Sequence, residues 1–206
     1  MEKDLLLRRI TNNLIINASF LENPGLYHGK MGIVLFFVHY SRYTGMGLYD
    51  DFAGLLLDEI YEEINTWTPV DFENGLAGIG WGIEYLLQNG FMAGDSFAIL
   101  RELDEKLQES DLNRMMNKSL RNGTGGIACY LQKHLSPDVI HKDVCVLSAS
   151  FLANWEKYIC PEYISQEMDL YSIVEHNSFK IETEVKKWRL GLDGGCAGYG
   201  LKMILE

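Results

Sequence analysis

Apolar residues recur at helical spacing along most of this chain, and short glycine-rich segments stand before several of the helices. The clearest case is residues 75–87, where Ile79, Ile83 and Leu86 follow the pattern of one helix face. Four glycines occupy the first eight positions of this stretch. Because a glycine inside a helix costs about 1 kcal/mol relative to alanine, the pattern predicts a close backbone approach along the side without Cβ atoms. It also predicts free amide groups at the start of the helix.

The same signature, Gly-x-x-Gly followed by an apolar residue, occurs four times, and we call these segments the four glycine motifs. Their first glycines are Gly29, Gly75, Gly123 and Gly195, at intervals of 46, 48 and 72 residues. An interval of about 47 residues accommodates two helices and their connections, as in helical-hairpin repeats. The long last interval, residues 127–194, has room for an extra helix or for a repeat that has lost its glycines.

Each glycine motif precedes a helix that is apolar on nearly all sides, and a helix with charges on one side follows. The predicted inner helices are 33–38, 75–88, 126–134 and 198–205, the outer helices are 49–66, 95–108 and 138–158, and further helix is predicted at 4–18, 111–120, 162–175 and 182–190. Strand patterns are confined to 144–146 and 179–181. The sequence therefore predicts an all-α fold. Since the inner helices lack the polar residues of a wet concave face, a ring or compact ball is favoured, with a cavity where the glycine motifs meet.

The composition indicates one globular domain over residues 1–206 and limits its partners. The chain is 47% hydrophobic and carries 29 acidic against 18 basic residues, a net charge of −11. This charge repels nucleic acid and anionic membrane surfaces, so we expect neither as a partner. It serves solubility or, alternatively, attracts a basic partner or peptide.

Segment patterns and cysteine usage predict a cytoplasmic protein. The first 20 residues form an amphipathic helix pattern without the apolar core of a secretory signal, and no run approaches the roughly 20 apolar residues of a membrane span. Cys129, Cys145, Cys160 and Cys196 are widely spaced and contain no Cys-x-x-Cys pair. We therefore expect them to be small core residues in a reducing compartment.

Three segments resemble the lanthionine synthetase C-like family. They are Leu-Tyr-His-Gly-Lys-Met-Gly-Ile at 26–33, Gly-Leu-Ala-Gly-Ile-Gly-Trp-Gly at 75–82 and Asp-Gly-Gly-Cys-Ala-Gly-Tyr-Gly at 193–200. The resemblance implies an α/α toroid, here partial or shortened and built from four to five helical hairpins, with glycine-rich loops at one end. It also implies a zinc site in cyclase members, held by Trp-Cys and Cys-His-Gly motifs. That zinc activates a cysteine thiolate of a peptide, which adds to a dehydrated serine or threonine and closes a thioether ring.

The zinc motifs of that family are missing here. No Trp-Cys pair occurs, and the one His-Gly pair, His28 with Gly29, follows Tyr27 instead of a cysteine. We therefore expect no metal, no cofactor and no zinc cyclase activity. The alternative is an unconventional zinc site from His28, Cys129 and Cys196. The chain is also about half the usual family length, so the ring is either short, incomplete or completed by a second copy in a homodimer.

Five residues are candidates for binding a substrate or partner: Tyr27, His28, Trp81, Glu84 and Asp193. Tyr27 is expected to be the most exposed aromatic residue and the best placed to touch a ligand. His28 and Asp193 either face the cavity or cap the helices that follow them. Trp81 either floors a cleft or lies in the core. Glu84, inside a buried helix, needs either the rim or a polar partner.

Two functions from different classes fit these patterns. The first is a protein of this family that lacks the cyclase zinc site and binds a peptide or partner protein in a peptide-modification context of the lanthipeptide type. The alternative is a non-zinc enzyme of the α/α toroid class that acts on a peptide or carbohydrate, with Glu84 and His28 as acid and base. No pair of catalytic groups stands at a defined spacing, so no catalytic residue is assigned and the first function is favoured.

Overall fold

The computed structural model describes residues 2–110, 115–135, 147–148, 150–153, 168–175, 177–181 and 184–206. These residues form helices and no β-strand, which confirms the all-α prediction for them. The α-helices are α1 Glu2–Asn17, α2 Lys30–Thr44, α3 Leu48–Glu63, α4 Leu76–Gln88, α5 Ser96–Glu109, α6 Thr124–His134, α7 Leu170–Val174 and α8 Cys196–Leu205, with short 3₁₀ helices at Ala18–Phe20 and Val185–Lys187. No described helix combines the length and the apolar character needed to cross a membrane.

The chain divides into two compact units. The first unit contains Met1–Asn65 and Met168–Glu206, and the second contains Thr66–Glu167. The end of the chain therefore returns to its beginning, and α8 packs against both α2 and α1. In the second unit, α4 packs against α6 and α5. That residues 1–206 form one domain stays a prediction.

Buried and amphipathic helices alternate as predicted. Helix α2 is buried along nearly its whole length, while α3 buries Ala53, Leu56 and Ile60 and leaves the acidic residues of its first turn exposed. The same relation holds between α4 and α5 in the second unit. Helix α5 begins where the sequence indicates, because the Asp95 side chain accepts a hydrogen bond from the Phe97 amide at 3.1 Å.

The four glycine motifs start four helices in the same way. The first glycine of each motif is the N-cap residue of α2, α4, α6 or α8 and has an extended backbone. The next residue donates its amide to the carbonyl seven positions earlier in the chain: Lys30 to Asn23 at 2.8 Å, Leu76 to Pro69 at 2.8 Å, Thr124 to Asn117 at 3.0 Å and Cys196 to Arg189 at 2.8 Å. The prediction of free amides at these helix starts is therefore wrong, because the preceding loop satisfies them.

The predicted close backbone approach is confirmed. A Cβ atom on Gly75 would collide with the carbonyl of Pro69, and one on Gly198 would collide with the carbonyl of Leu192. The first glycines of the other motifs, and the second glycines Gly32 and Gly126, are equally confined by the backbone of the loop before them. Glycine stands at these positions because the capping loop lies against the helix start.

A second glycine contact joins the inner helices in pairs. A Cβ atom on Gly80 of α4 would lie 2.5 Å from the ring of Tyr130 on α6, and one on Gly200 of α8 would lie 2.6 Å from the ring of Phe36 on α2. Both glycines are five residues after the first glycine of their motif, and both aromatics are seven residues after theirs. The pair α4 with α6 in the second unit and the pair α8 with α2 in the first unit are therefore built alike.

Several predicted elements between the motifs differ from the structure. The described residues 115–120 are not helical, and residues 184–190 contain only the 3₁₀ turn Val185–Lys187. Residues 179–181 do not form a strand. Of the predicted helix 138–158, the described residues 150–153 are helical, and the candidate strand 144–146 lies outside the described residues. The predictions for these segments depended on polar and charged residues with weak helical periodicity, so the sequence pattern constrained them less than it constrained the apolar helices.

Candidate functional site

Three of the five predicted site residues come together in the first unit. The backbone amide of Asp193 donates to the carbonyl of Tyr27 at 3.0 Å, and a ring nitrogen of His28 lies within 4.8 Å of a carboxylate oxygen of Asp193. A Cβ atom on Gly191 would collide with the backbone of Tyr27 and His28. The loops of the first and last glycine motifs are therefore in direct contact, although more than 160 residues separate them in the sequence.

The individual roles predicted for these three residues need correction. Tyr27 is not an exposed aromatic residue, because only 4% of its side chain is accessible and its ring belongs to the core. Neither His28 nor Asp193 caps a helix, since Gly29 and Gly195 are the N-cap residues and no side chain caps there. His28 and Asp193 are half-buried, which leaves part of each side chain available to a ligand.

A pocket of about 200 Å³ lies beside the last glycine motif in the first unit. Its lining residues are Ser178, Phe179, Lys180, Lys187, Trp188, Arg189 and Gly194. Gly194 has a left-handed backbone with φ of 61°, a conformation that side chains rarely adopt. The pocket therefore lies beside the last glycine motif, and a cavity where all four motifs meet stays a prediction.

The pocket wall is held by a partly buried contact network. The Asn177 side chain donates to the carbonyl of Leu192, and its oxygen accepts a hydrogen bond from the Phe179 amide at 2.8 Å. The Phe179 ring meets the Trp188 ring edge-on at 5.4 Å between centroids. These contacts hold the segment 177–179 against the loop that precedes α8.

Trp81 belongs to the core of the second unit. It is 1% exposed and packs against Phe72 and Tyr85, with ring centroids 5.9 and 5.6 Å away. The alternative in which it lies in the core is confirmed, and the one in which it floors a cleft is wrong.

Glu84 is buried and hydrogen-bonded to polar partners, and it does not reach the rim of a cavity. Its carboxylate, 3% exposed, lies 2.6 Å from Nδ1 of His134 and accepts hydrogen bonds from the Ser96 hydroxyl and, at 3.1 Å, from the Gln88 amide. Glu84 is in the third turn of α4, so it lies roughly 12 Å along the axis from the glycine motif that starts this helix. It is therefore neither exposed nor at the glycine end of its own helix.

Glu84 is one part of a buried cluster that joins α4, α5 and α6, which we call the His134 cluster. Nε2 of His134 lies 3.0 Å from Asp104 of α5, and the Tyr130 hydroxyl donates to the other Asp104 oxygen at 2.6 Å. Burial alone would lower the pKa of His134, but the hydrogen bonds and charges of Asp104 and Glu84 outweigh it and raise the pKa to about 9. At neutral pH a charged imidazolium therefore lies between two carboxylates.

The His134 cluster lies in the core, where its side chains are closed to solvent. The side chains of His134, Glu84 and Asp104 are at most 4% exposed, and the His134 ring stacks against Tyr130 at 5.4 Å. The sequence analysis missed His134 and Asp104. A signal was present for Asp104, which follows Leu100 by four positions and precedes Leu107 by three on the buried face of α5.

The two described cysteines are core residues, as predicted. Burial raises the pKa of the Cys129 thiol to about 11 and that of the Cys196 thiol to about 12, so both thiols are neutral. The Asn13 side-chain amide lies 3.7 Å from Sγ of Cys196. Within the described part of the chain, neither cysteine belongs to a group of three potential metal ligands, so the unconventional site from His28, Cys129 and Cys196 is wrong there.

Comparisons of the chain with protein-family models, with curated proteins and with solved structures gave no match.

Proposed function

We propose that this chain is a lanthionine synthetase C-like protein without the cyclase zinc site, and that it binds a peptide or partner protein in a peptide-modification context. The finer fold of the proposal is an α/α toroid, shortened to the hairpins that the four glycine motifs start. The binding surface consists of His28, Asp193 and the pocket at the last glycine motif, and we call it the motif surface.

The observation that carries the proposal is the contact between the first and last glycine motifs. Asp193 donates its amide to the carbonyl of Tyr27, and α8 packs on α2 with Gly200 against Phe36. A ring closed within one chain needs its last inner helix beside its first, whereas an open row of hairpins keeps them apart. The same contact gathers two predicted binding residues and the pocket in one unit, which supports a binding surface at this end of the inner helices.

The state of the cysteines supports a function without the cyclase zinc. The Cys196 thiol, within the last glycine motif, is fully buried, which removes it from a surface that a ligand could reach. His28 is half-buried and lies near the carboxylate of Asp193. The described residues around the last motif are therefore suited to contacting a ligand through polar and charged groups.

The alternative of a non-zinc enzyme has less support. It assigned acid and base roles to Glu84 and His28, but the Glu84 carboxylate is buried and engaged by Ser96, His134 and Gln88. A general acid must come within hydrogen-bond reach of the group that it protonates. Without Glu84 the alternative has no named acid, so binding is the better-supported function.

The test is a selection of peptides from a random display library on the purified full chain, followed by calorimetric titration of the selected peptides. We expect saturable binding that His28→Ala and Asp193→Asn each weaken about tenfold, the loss that follows removal of one charge-assisted hydrogen bond. Arg101→Ala is the matched control, because Arg101 is an exposed residue of α5 outside the motif surface. The Arg101→Ala variant should bind the selected peptides with the affinity of the unaltered protein.

Three results would overturn the proposed function. Binding that is equally strong in the His28 and Asp193 variants would place the peptide elsewhere on the protein. A change in peptide mass during incubation would favour the enzyme. Stoichiometric zinc in the purified protein, lost on Cys196→Ser, would restore the cyclase-type site and contradict the assignment of both thiols to the core.

A further inference from the structure

The pocket at the last glycine motif is lined by three cationic side chains, Lys180, Lys187 and Arg189. This local charge is opposite to the net charge of −11 of the chain. Lys187 contacts Glu184 at 3.2 Å, but both side chains are about half exposed, so the pair is weak. Lys180 and Arg189 have no ion-pair partner within 4.0 Å among the described residues. The pocket therefore presents positive charge that the described structure does not neutralise.

The back of the pocket is aromatic and held in place. Trp188 is buried, and its ring contacts Phe179, whose ring also meets that of Tyr199 at 5.5 Å between centroids. The Arg9 guanidinium lies 5.3 Å from the centroid of the Trp188 ring and helps to hold that ring in place, although Arg9 does not line the pocket. A ligand that enters meets an apolar floor and a positively charged rim.

The size of the pocket limits the ligand to a small group. Its volume of about 200 Å³ corresponds to a few water molecules at roughly 30 Å³ each and is smaller than the roughly 300 Å³ at which drug-sized sites begin. One side chain or one small acid fits this space. An extended ligand would place only one of its groups here.

We propose that this pocket binds an oxyanion, a carboxylate or a phosphate, carried on a compact aromatic or apolar group. The proposal rests on the proposed function, since it gives the chemistry of the ligand group that the motif surface accepts. Arg189 supplies a planar guanidinium that matches either oxyanion with two parallel hydrogen bonds, and Lys180 supplies a point charge. Trp188 and Phe179 supply the contact for the group that carries the charge.

The test is an NMR titration of the full chain, followed through the backbone amides of the lining residues and the indole N–H of Trp188. The probes are phenyl phosphate, phenylacetate and the uncharged benzyl alcohol, which share an aromatic ring and differ in charge. Both anions should give saturable shifts confined to the pocket, and benzyl alcohol should give much smaller ones. The tighter of the two anions identifies the oxyanion that the pocket prefers.

Variants separate a site from general attraction between charges. Lys180→Ala and Arg189→Ala should each weaken anion binding about tenfold, and the double variant should abolish the saturable shifts. Lys118→Ala is the control, because Lys118 is exposed in the second unit and its removal changes the net charge by the same amount. Unchanged amide shifts outside the pocket would show that the variants are folded.

Three outcomes would overturn the anion site: equal shifts with benzyl alcohol, no saturable shift with either anion, or an equal loss in Lys118→Ala. These outcomes are distinct from a failure of the proposed function. Peptide binding that depends on His28, together with a silent pocket, would leave the binding function standing and remove this inference. Anion binding without any selected peptide would support the anion site and would overturn the proposed peptide-binding function.

Discussion

Each unit of the protein buries one cation between two carboxylates, and the two arrangements differ in depth. In the first unit, Lys30 at the start of α2 contacts Glu59 at 2.7 Å and Glu63 at 2.5 Å, one turn apart on α3. In the second unit, His134 lies between Glu84 and Asp104. Both clusters place one basic side chain between two acidic side chains.

The carboxylates account for the difference. The side chains of Glu59 and Glu63 are 33% and 34% exposed, although Oε2 of each is buried, whereas the side chains of Glu84 and Asp104 are 4% and 1% exposed. If the cation were removed, solvating the two carboxylates would take less rearrangement in the first unit than in the second. The comparison therefore predicts that similar ion clusters contribute very differently to stability.

Removing the buried imidazolium should give the largest effect. His134→Leu keeps an apolar side chain of similar size but leaves Glu84 and Asp104 without their cation, and the loss in free energy of unfolding should be about 3–5 kcal/mol. Chemical denaturation at pH 7, followed by far-UV circular dichroism, measures it. His39→Leu is the control: burial and the nearby Arg42 lower the pKa of His39 to about 4, so this histidine is neutral and its replacement removes no charge. Equal losses in the two variants would contradict the comparison.

The pH dependence of stability should also differ between the His134 cluster and the Lys30 cluster. Because the pKa of His134 rises from 6.5 in the unfolded chain to about 9 in the folded chain, its contribution is complete below pH 6.5 and disappears as the pH rises through 9. The loss should reach about 3 kcal/mol. Denaturation between pH 7 and pH 8 measures the first part of this loss, about 1 kcal/mol, above the titration of His39 and below the ionisation of the unfolded-state cysteines near pH 8.5. The Lys30 cluster should add no slope there: burial alone would lower the pKa of Lys30, but Glu59 and Glu63 outweigh it and hold that pKa above 10.5.

The variant His134→Leu provides the decisive control for this slope. Its stability should change much less with pH over the same range, because the group that titrates most strongly there is gone. A slope that persists in the variant would assign the pH dependence to other residues and would leave the His134 cluster without its distinguishing property.

The glycine motifs show what one sequence can predict about this fold. The carbonyl that confines Gly75 comes from Pro69, six residues earlier, and the same local relation holds for the other motifs. A contact between residues that are close in the chain is visible in the spacing of the sequence. The buried position of Tyr27 could not be predicted in this way, because the loop that packs against it follows more than 160 residues later.

The His134 cluster shows what one sequence cannot predict about this fold. Glu84 stood out because a carboxylate inside an apolar helix needs a partner, and Asp104 offered the same signal on α5. The partner itself, at the end of α6, depends on how three helices pack, which no spacing along the chain encodes. The polar residues of a core are therefore visible one by one in the sequence, while their pairing requires the structure.

The smallest effect is expected for the cluster in the first unit. Lys30→Met keeps the buried aliphatic stem and removes the ammonium group, so Glu59 and Glu63 lose their cation but keep partly exposed side chains. We expect a loss of about 1 kcal/mol or less in the free energy of unfolding, as for other partly exposed ion pairs. Adding Glu59→Gln and Glu63→Gln to this variant should recover most of the loss, since no repulsion between carboxylates remains. A loss as large as that of His134→Leu would show that exposure of the carboxylates does not govern the cost.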